Sequence, residues 1–398
     1  MPGICGFISV ILFLRVIGVQ EYGKYSLLLS QCNLIVALSY GWLNQAQLRY
    51  FSQDRTCNYY YNSQIKSLLF CGIFSLLISL IVSFYNNQSY KIWFVSLITI
   101  ICIGCFNYIK TYLQAKLLPQ KVIFLNTVQS ILAISVPLLI ILFFGKTSIH
   151  LIIGIAFSFL IATLIIIKNN PFGIPSNKNK KNVISLIKRW LYYGSPLSIW
   201  FAIGLTLSFL DRFFINYYLN TTELGIYSSL QEILVKSFSL TLFPFTLALH
   251  PRIMNLWNNS KIDETIKLMI KSFILIFALG SLILFTVWYL NDLTFLLFSI
   301  ILPGIDSQSK GLILPLLLAG LLWQLSFITH KMMELKEQTI FMVVSILPSL
   351  IINFIGNIYY LPKLGGIATA YTALFSALAY FLITGFHFIY SINKMKLS

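Results

Sequence analysis

Residues 21–26 have the sequence Glu-Tyr-Gly-Lys-Tyr-Ser, and residues 223–228 have the sequence Glu-Leu-Gly-Ile-Tyr-Ser. The two hexapeptides share the pattern Glu-x-Gly-x-Tyr-Ser at an offset of 202 residues in a chain of 398. Each copy comes directly before a long stretch that is mostly apolar. We interpret them as the same point in two halves of an internal repeat, which predicts two structurally matched lobes.

The composition around these motifs is that of a membrane protein. Hydrophobic residues make up 58% of the chain and charged residues only 10%, with 33 Phe, 22 Tyr and a mean hydropathy of +0.83. Globular proteins are about a quarter charged, so the missing residues are those that would cover a soluble surface. This excludes most soluble enzymes and predicts an all-α polytopic membrane protein.

Twelve membrane spans are predicted from stretches long enough to cross a bilayer, which takes roughly 20 apolar residues. Two of them carry internal charge: the first, which ends near Arg15, and the eighth, which contains Glu232 and Lys236. Residues 293–302 are apolar but too short to cross, and are interpreted as an interfacial segment. The first predicted span ends near Arg15, and the other eleven cover 25–48, 67–90, 92–109, 122–145, 147–167, 190–210, 225–247, 272–291, 311–330, 338–362 and 364–393.

The Lys and Arg residues sort to one side of this topology. The connections after the even-numbered spans, with the C-terminal tail, hold 20 of the 28, and the opposite side holds seven. Because cytoplasmic loops are enriched in Lys and Arg, this split predicts that both termini are cytoplasmic. The formal net charge of +17 therefore reflects topology, and we expect no nucleic-acid partner.

A basic linker divides the predicted spans into two groups of six. Residues 168–189 are rich in Asn, Pro and Lys, which is typical of a solvated connection. We therefore predict an N-terminal lobe at 1–170, a linker at 171–188 and a C-terminal lobe at 189–398. An even number of spans in each half gives a parallel repeat, with a central cleft between the lobes as the expected substrate path.

Several motifs resemble the Wzx-type O-antigen and polysaccharide flippases of the multidrug/oligosaccharidyl-lipid/polysaccharide exporter superfamily. The similarity extends over nearly the whole chain, and its order and spacing are more specific than any single motif. Family members usually have a longer first span than this chain, in which 14 residues precede Arg15. The motifs that carry the resemblance are residues 15–26, 41–50, 193–197, 211–215, 225–228, 251–254 and 364–370.

The resemblance implies a transporter without enzymatic activity, cofactor or metal. It implies translocation of an undecaprenyl-pyrophosphate-linked oligosaccharide, an O-antigen or capsular repeat unit, across the bacterial inner membrane by alternating access. The implied partners are the lipid-linked oligosaccharide and membrane lipids, with a polysaccharide polymerase and a chain-length regulator as further candidates.

Charged groups at membrane depth are costly, so each one is a candidate for function. Glu232 and Lys236 are four residues apart on one helix, which suits an internal ion pair. Alternatively, they face a cavity, where Glu232 accepts a coupling proton or Lys236 binds phosphate. The sequence does not decide between these interpretations.

Asp211 and Arg212 are adjacent near the outer end of the seventh span and point about 100° apart on a helix. Either both extend to the interface, or Arg212 binds the anionic cargo while Asp211 anchors it. Arg15 precedes the first repeat copy much as Arg212 precedes the second, and is a third cationic candidate. Arg49 and Arg252 end the second and eighth spans as anchors or as ligands.

Rival functions remain open at this level. A polysaccharide polymerase or lipid-linked glycosyltransferase usually needs a large external loop, whereas residues 291–310 offer only Asp292 and Asp306 as carboxylates. A cation-coupled drug exporter usually carries carboxylates in its first-half spans. The first half here has only Glu21 and Asp54, which favours an anionic lipid cargo. Export of teichuronic acid or a peptidoglycan precursor remains a related alternative.

Overall fold

The computed structural model of the chain describes residues 2–57, 59–169 and 180–397. Side chains at 236, 239–248, 250 and 251 are among those that fall outside this description. Every regular element of the described residues is a helix, which confirms the predicted all-α class. The α-helices are α1 (Pro2–Ile17), α2 (Val19–Asp54), α3 (Tyr60–Tyr85), α4 (Tyr90–Ala115), α5 (Pro119–Phe144), α6 (Ser148–Asn169), α7 (Lys180–Tyr218), α8 (Thr221–Asn258), α9 (Ile262–Tyr289), α10 (Asn291–Ile301), α11 (Lys310–Thr329), α12 (Lys331–Leu335), α13 (Thr339–Leu364) and α14 (Gly366–Leu397).

The predicted spans correspond to these helices. Within the described residues, ten helices are long and apolar enough to cross a membrane, with α12 continuing α11. The other two predicted spans lie on α1, a shorter apolar helix, and on α8, which has 38 residues. The predicted interfacial segment forms α10, in which no residue is buried.

Helix α3 shows why these helices suit a lipid environment. Its buried face carries small and polar residues at roughly helical spacing, such as Ser67, Ser75 and Ser79. Its large apolar side chains, including Ile73 and Phe84, are exposed. Small residues let helices approach closely, while lipid solvates the large ones, so apolar side chains face outward here.

Glycine marks two of the sharp breaks between helices. Gly18 separates α1 from α2 with φ +85°, and Gly365 separates α13 from α14 with φ +67°. Side chains are disfavoured in this left-handed region, and glycine adopts it at little cost. The break at Gly365 lies at the boundary that the sequence predicted between the last two spans.

Contacts divide the chain into two units. The first unit contains residues 1–5 and 24–205, and the second contains 6–23 and 206–398. This grouping places most of α1 in the second unit and the first part of α7 in the first, unlike the predicted boundaries at 170 and 189. The two lobes as functional bodies, and the cleft between them, stay predictions.

Within the second unit, the two copies of the repeat touch each other. Gly23 and Gly225 are each the fifth residue of their helix, α2 and α8. A Cβ added at Gly23 would lie 2.3 Å from the carbonyl oxygen of Thr221, and one at Gly225 would lie 2.1 Å from that of Val19. Val19 and Thr221 are also 202 residues apart. The contact is therefore reciprocal, and only glycine fits on either side of it.

Candidate functional site

A buried group of charged and polar side chains lies inside the second unit. Helix α7 contributes Asp211 and Arg212, whose residues are 0% and 2% exposed. Because neighbouring residues on a helix point about 100° apart, the two side chains have different hydrogen-bond partners. The structure thus places both groups in the protein interior, where each carries an electrostatic cost that its partners must offset.

Asp211 accepts hydrogen bonds from three neutral donors. The Tyr227 hydroxyl donates over 2.6 Å to Oδ2, and the Nδ2 groups of Asn353 and Asn357 donate over 3.1 Å each to Oδ1. Tyr227 lies on α8 and the two asparagines on α13. One carboxylate therefore joins three helices, and these partners satisfy its oxygens without neutralising its charge.

Arg212 pairs with a different carboxylate. Its Nη2 lies 3.1 Å from Oε1 of Glu232 and 3.4 Å from Oε1 of Gln231. Oε2 of Glu232 accepts a hydrogen bond of 3.2 Å from the Tyr22 hydroxyl. The Arg212 side chain is 3% exposed and that of Glu232 is 21% exposed, so the carboxylate is the more accessible partner.

Helix α13, which carries the two asparagines that bind Asp211, and helix α14, which packs against α13, contain buried oxygens without hydrogen-bond partners among the described residues. They include Oδ1 of Asn357 and Oγ of Ser349 on α13 and Oγ1 of Thr369 on α14. An unsatisfied buried acceptor is costly, and acceptor oxygens near a carboxylate suit a proton or a cation. Clusters of three or more His, Cys, Asp or Glu with metal-binding geometry are absent from the described residues.

The other predicted site residues lie elsewhere. Arg15 is exposed, and its Nη2 and Nε donate to the carbonyl oxygens of Ile300 and Ile301, over 2.7 and 3.2 Å. These carbonyls end α10, where a positive charge is favourable. Arg15 thus has a structural role at that helix end, and its role as a cargo ligand stays a prediction.

The remaining cations are at helix ends or outside the description. Arg49 is exposed at the end of α2, with its guanidinium carbon 5.1 Å from the centre of the Tyr193 ring. Arg252 is exposed on α8. The Lys236 side chain lies outside the described residues, so its predicted pairing with Glu232 stays a prediction.

Sequence reasoning missed five members of this group of charged and polar side chains: Tyr22, Tyr227, Gln231, Asn353 and Asn357. Tyr227 is the tyrosine of the second repeat motif, and from the sequence it was used only to recognise the repeat. Asn353 and Asn357 are four residues apart in an apolar span, which places two amides on one helix face. That spacing was the available signal, because amides at membrane depth also need partners.

An apolar groove lies between α13 and α14 in the same unit. Its volume is about 680 Å³, and its lining includes Ile351, Ile355, Ile367 and Phe375. These side chains are between 37% and 55% exposed, so the groove opens on the surface of the unit.

The helices and their exposed apolar faces make this chain a multi-pass membrane protein. The fold is that of transporters. An inward-facing multidrug-resistance MATE family transporter of the MOP superfamily matches with a TM-score of 0.70 and 12% identity, over 100% of this chain and 96% of its own. The inward closed lipid II flippase MurJ matches with a TM-score of 0.70 and 13% identity, over 97% and 85%. The eukaryotic MATE transporter AtDTX14 matches with a TM-score of 0.66 and 12% identity, over 97% and 93%.

The sequence assigns the chain to a family. The model of the family described as "Polysaccharide biosynthesis protein" matches residues 3–257, and the chain belongs to that family. No curated protein matches the sequence. The predicted resemblance to polysaccharide flippases of the exporter superfamily is thus confirmed at the level of family and fold.

Proposed function

We propose that this protein is a flippase that moves an undecaprenyl-pyrophosphate-linked oligosaccharide from the cytoplasmic to the outer leaflet of a bacterial inner membrane. Family membership and the transporter fold support a flippase-type exporter. The observation that carries the specific proposal is the buried Arg212, held by the more exposed Glu232. A pyrophosphate is the kind of anion that a permanently charged guanidinium can bind inside a membrane.

In this proposal, Glu232 holds Arg212 until cargo arrives. Both the carboxylate and a phosphate bind a guanidinium through two oxygens, so they compete for the same donors. When the pyrophosphate takes the guanidinium, Glu232 remains near Tyr22 and can accept a proton or a second cation. Lys236, one turn further along α8, is the proposed second cation, and Arg15, Arg49 and Arg252 are proposed to act outside this group.

Asp211 is the proposed coupling group. Its donors are neutral, and Asn357, one of them, also carries a buried acceptor oxygen without a hydrogen-bond partner among the described residues. Binding of a proton or a small cation to this carboxylate would change its hydrogen bonds to α8 and α13. Such a change links ion binding to the arrangement of helices, which is what coupled alternating access requires.

The groove between α13 and α14 is the proposed seat of the cargo's lipid tail. Its lining is apolar, and one of its two helices, α13, also carries the asparagines that bind Asp211. A polyprenyl chain there would keep the lipid in an apolar environment while its head group moves through the protein.

Complementation tests the proposal. The gene is expressed in an O-antigen flippase-null strain, and surface polysaccharide is measured with membrane protein levels. Restored surface polymer supports the proposal. The same strain also tests the proposed partners, because co-purification with the polymerase or the chain-length regulator is expected only if the protein assembles with them.

Cation-coupled drug export is the second candidate, because a MATE transporter and the lipid II flippase match this chain with the same TM-score of 0.70. Drug resistance in a pump-deficient strain, with no surface polymer in the flippase-null strain, would establish this alternative. Rescue of a teichuronic acid or peptidoglycan-precursor exporter mutant would indicate a related lipid cargo.

A further inference from the structure

The two units have very different balances of basic and acidic residues. The first contains fifteen Lys and Arg against the single acidic residue Asp54, and the second contains thirteen against ten. Twelve of the fifteen lie on the side that the charge distribution assigns to the cytoplasm. They are Arg49, Arg55, Lys66, Lys110, Lys116, Lys121, Lys168, Lys178, Lys180, Lys181, Lys188 and Arg189.

At this end of the first unit, two cations rest on neighbouring aromatic rings. The guanidinium carbon of Arg55 lies 5.8 Å from the centre of the Phe51 ring, and Nζ of Lys116 lies 4.4 Å from that of Tyr112. The two rings meet edge to face at 5.6 Å, and both residues are buried. The rings therefore fix both cations on one patch of surface.

A hydroxyl group joins the same patch. Tyr61, at the start of α3, interacts electrostatically with both Lys116 and Arg55, and its hydroxyl is hydrogen-bonded to Tyr112. The ends of α2, α3 and α4 thus bring together a guanidinium, an ammonium and a phenol. Groups of this kind bind phosphate oxygens by charge-assisted hydrogen bonds.

An aromatic ring holds a cation without neutralising its charge, whereas a carboxylate partner neutralises it. In the second unit, two cations of the cytoplasmic side are paired with carboxylates instead: Lys261 with Glu264, over 3.0 Å, and Lys331 with Glu334. In the first unit, Asp54 pairs with Arg189, and its second oxygen accepts a hydrogen bond from Nε1 of Trp190 over 2.9 Å. Its carboxylate is thereby committed away from Arg55 and Lys116.

A third basic position in the second unit also differs. Burial lowers the pKa of Lys336, and the positive charge of Lys394 lowers it further. Enrichment of Lys and Arg on the cytoplasmic side accounts for the number of cations in both units. It does not account for the difference in partners, which leaves positive charge at Arg55 and Lys116 of the first unit and neutralises Lys261 and Lys331 of the second.

We propose that this end of the first unit binds the headgroups of anionic phospholipids, with Arg55 and Lys116 as the phosphate site and Tyr61 beside them. The occupant is a bulk lipid of the cytoplasmic leaflet, and the proposal is independent of the cargo. Anionic leaflets attract basic segments next to the membrane, and here the cations are already positioned on buried rings.

Thermal unfolding of the purified full-length protein in nanodiscs tests this. The Tm is measured in pure phosphatidylcholine and in equal parts of phosphatidylcholine and phosphatidylglycerol, and their difference is the anionic increment. The double variant Arg55→Gln with Lys116→Gln is expected to lose most of this increment. Because each variant is its own reference, a general loss of stability cancels.

The matched control is Lys261→Gln with Lys331→Gln, which removes the same charge from carboxylate-paired positions and should keep the increment. Arg55→Lys with Lys116→Arg keeps both charges and should retain most of it. An undiminished increment in the Gln double variant, or an equal loss in the control, would overturn the proposal. So would an equal Tm rise on adding inorganic phosphate to phosphatidylcholine nanodiscs, since the ligand would then be free phosphate.

Discussion

The two units each bury a carboxylate, but in opposite environments. Asp54 of the first unit is 4% exposed and pairs with the cation Arg189, whose side chain is 47% exposed. Asp211 of the second unit is 0% exposed and accepts hydrogen bonds only from neutral donors among the described residues. An ion pair with one partner at the surface is suited to holding helix ends together. A charged group among neutral donors is suited to binding and releasing a cation or proton.

The charge counts extend this contrast. The first unit has one acidic residue, and aromatic side chains such as Tyr40, Trp42 and Tyr60 fill its core. The second unit buries Asp211 and Arg212 on α7 and places the partly exposed Glu232 on α8. We infer that the chemistry of transport is concentrated in the second unit, whereas the first presents its charge at the surface.

The largest effect is expected from Arg212. Arg212→Ala should abolish transport at an unchanged protein level, because the buried site then loses its permanent cation. Arg212→Lys should retain part, since a lysine keeps the charge but cannot form a bidentate pair with a carboxylate or phosphate.

The measurement is surface polymer in the complemented strain, normalised to membrane protein. Arg189→Ala provides the comparison from the first unit and should keep transport, because its ion pair with Asp54 lies at a helix end. Full activity of Arg212→Ala would contradict the assignment of cargo binding to the second unit.

The next effect concerns the two carboxylates. Asp211→Asn should lower the transport rate by on the order of tenfold and make it insensitive to the coupling ion, a typical size for the coupling between two sites. Asp54→Asn should retain transport and its ion dependence. Uptake of labelled lipid-linked cargo into vesicles, followed across pH and Na⁺ concentration, distinguishes the two. Equal ion dependence in wild type and Asp211→Asn would remove Asp211 from coupling.

A smaller effect is expected at the repeat contact. Gly23→Ala and Gly225→Ala should each cost about 1–3 kcal/mol, because the added methyl group meets a backbone carbonyl that cannot move alone. Gly204→Ala on α7 is the control from the first unit, since a Cβ there has nothing within 4 Å. Thermal unfolding measures all three. A Gly23→Ala protein as stable as Gly204→Ala would show that α2 and α8 pack less closely at Gly23 and Gly225 than the structure indicates.

The smallest effect is expected from Arg15. Arg15→Gln loses charge-assisted hydrogen bonds to the end of α10, and because the site is exposed the expected cost is about 1 kcal/mol. Transport should stay near the wild-type rate. A loss of transport as large as that of Arg212→Ala, at equal stability, would support Arg15 as a cargo ligand.

The sequence predicted the helices well because charge-free stretches and glycine breaks are local signals. The helix start after Gly365 and the short apolar helix α10 both follow from such signals. The repeat also predicted that Gly23 and Gly225 occupy matching positions, although not that they touch.

Partner choice could not be predicted in the same way. The structure pairs Glu232 with Arg212 on another helix, a partner that spacing along one helix does not indicate, while the pair of Glu232 with Lys236 stays a prediction. Two side chains on different helices meet only when those helices pack in one register, which a single sequence does not encode locally. The same limit applies to Asp211 and the two asparagines of α13, and to Arg15 at the end of α10.

The reciprocal contact between Gly23 and Gly225 has a consequence for the history of the chain. After a duplication, two copies of a segment usually drift apart independently. Here the backbone of one helix occupies the space that a side chain at the other helix's glycine would need. A larger residue at either glycine therefore disrupts the same contact between α2 and α8. Selection on this one contact therefore acts on two distant codons at once.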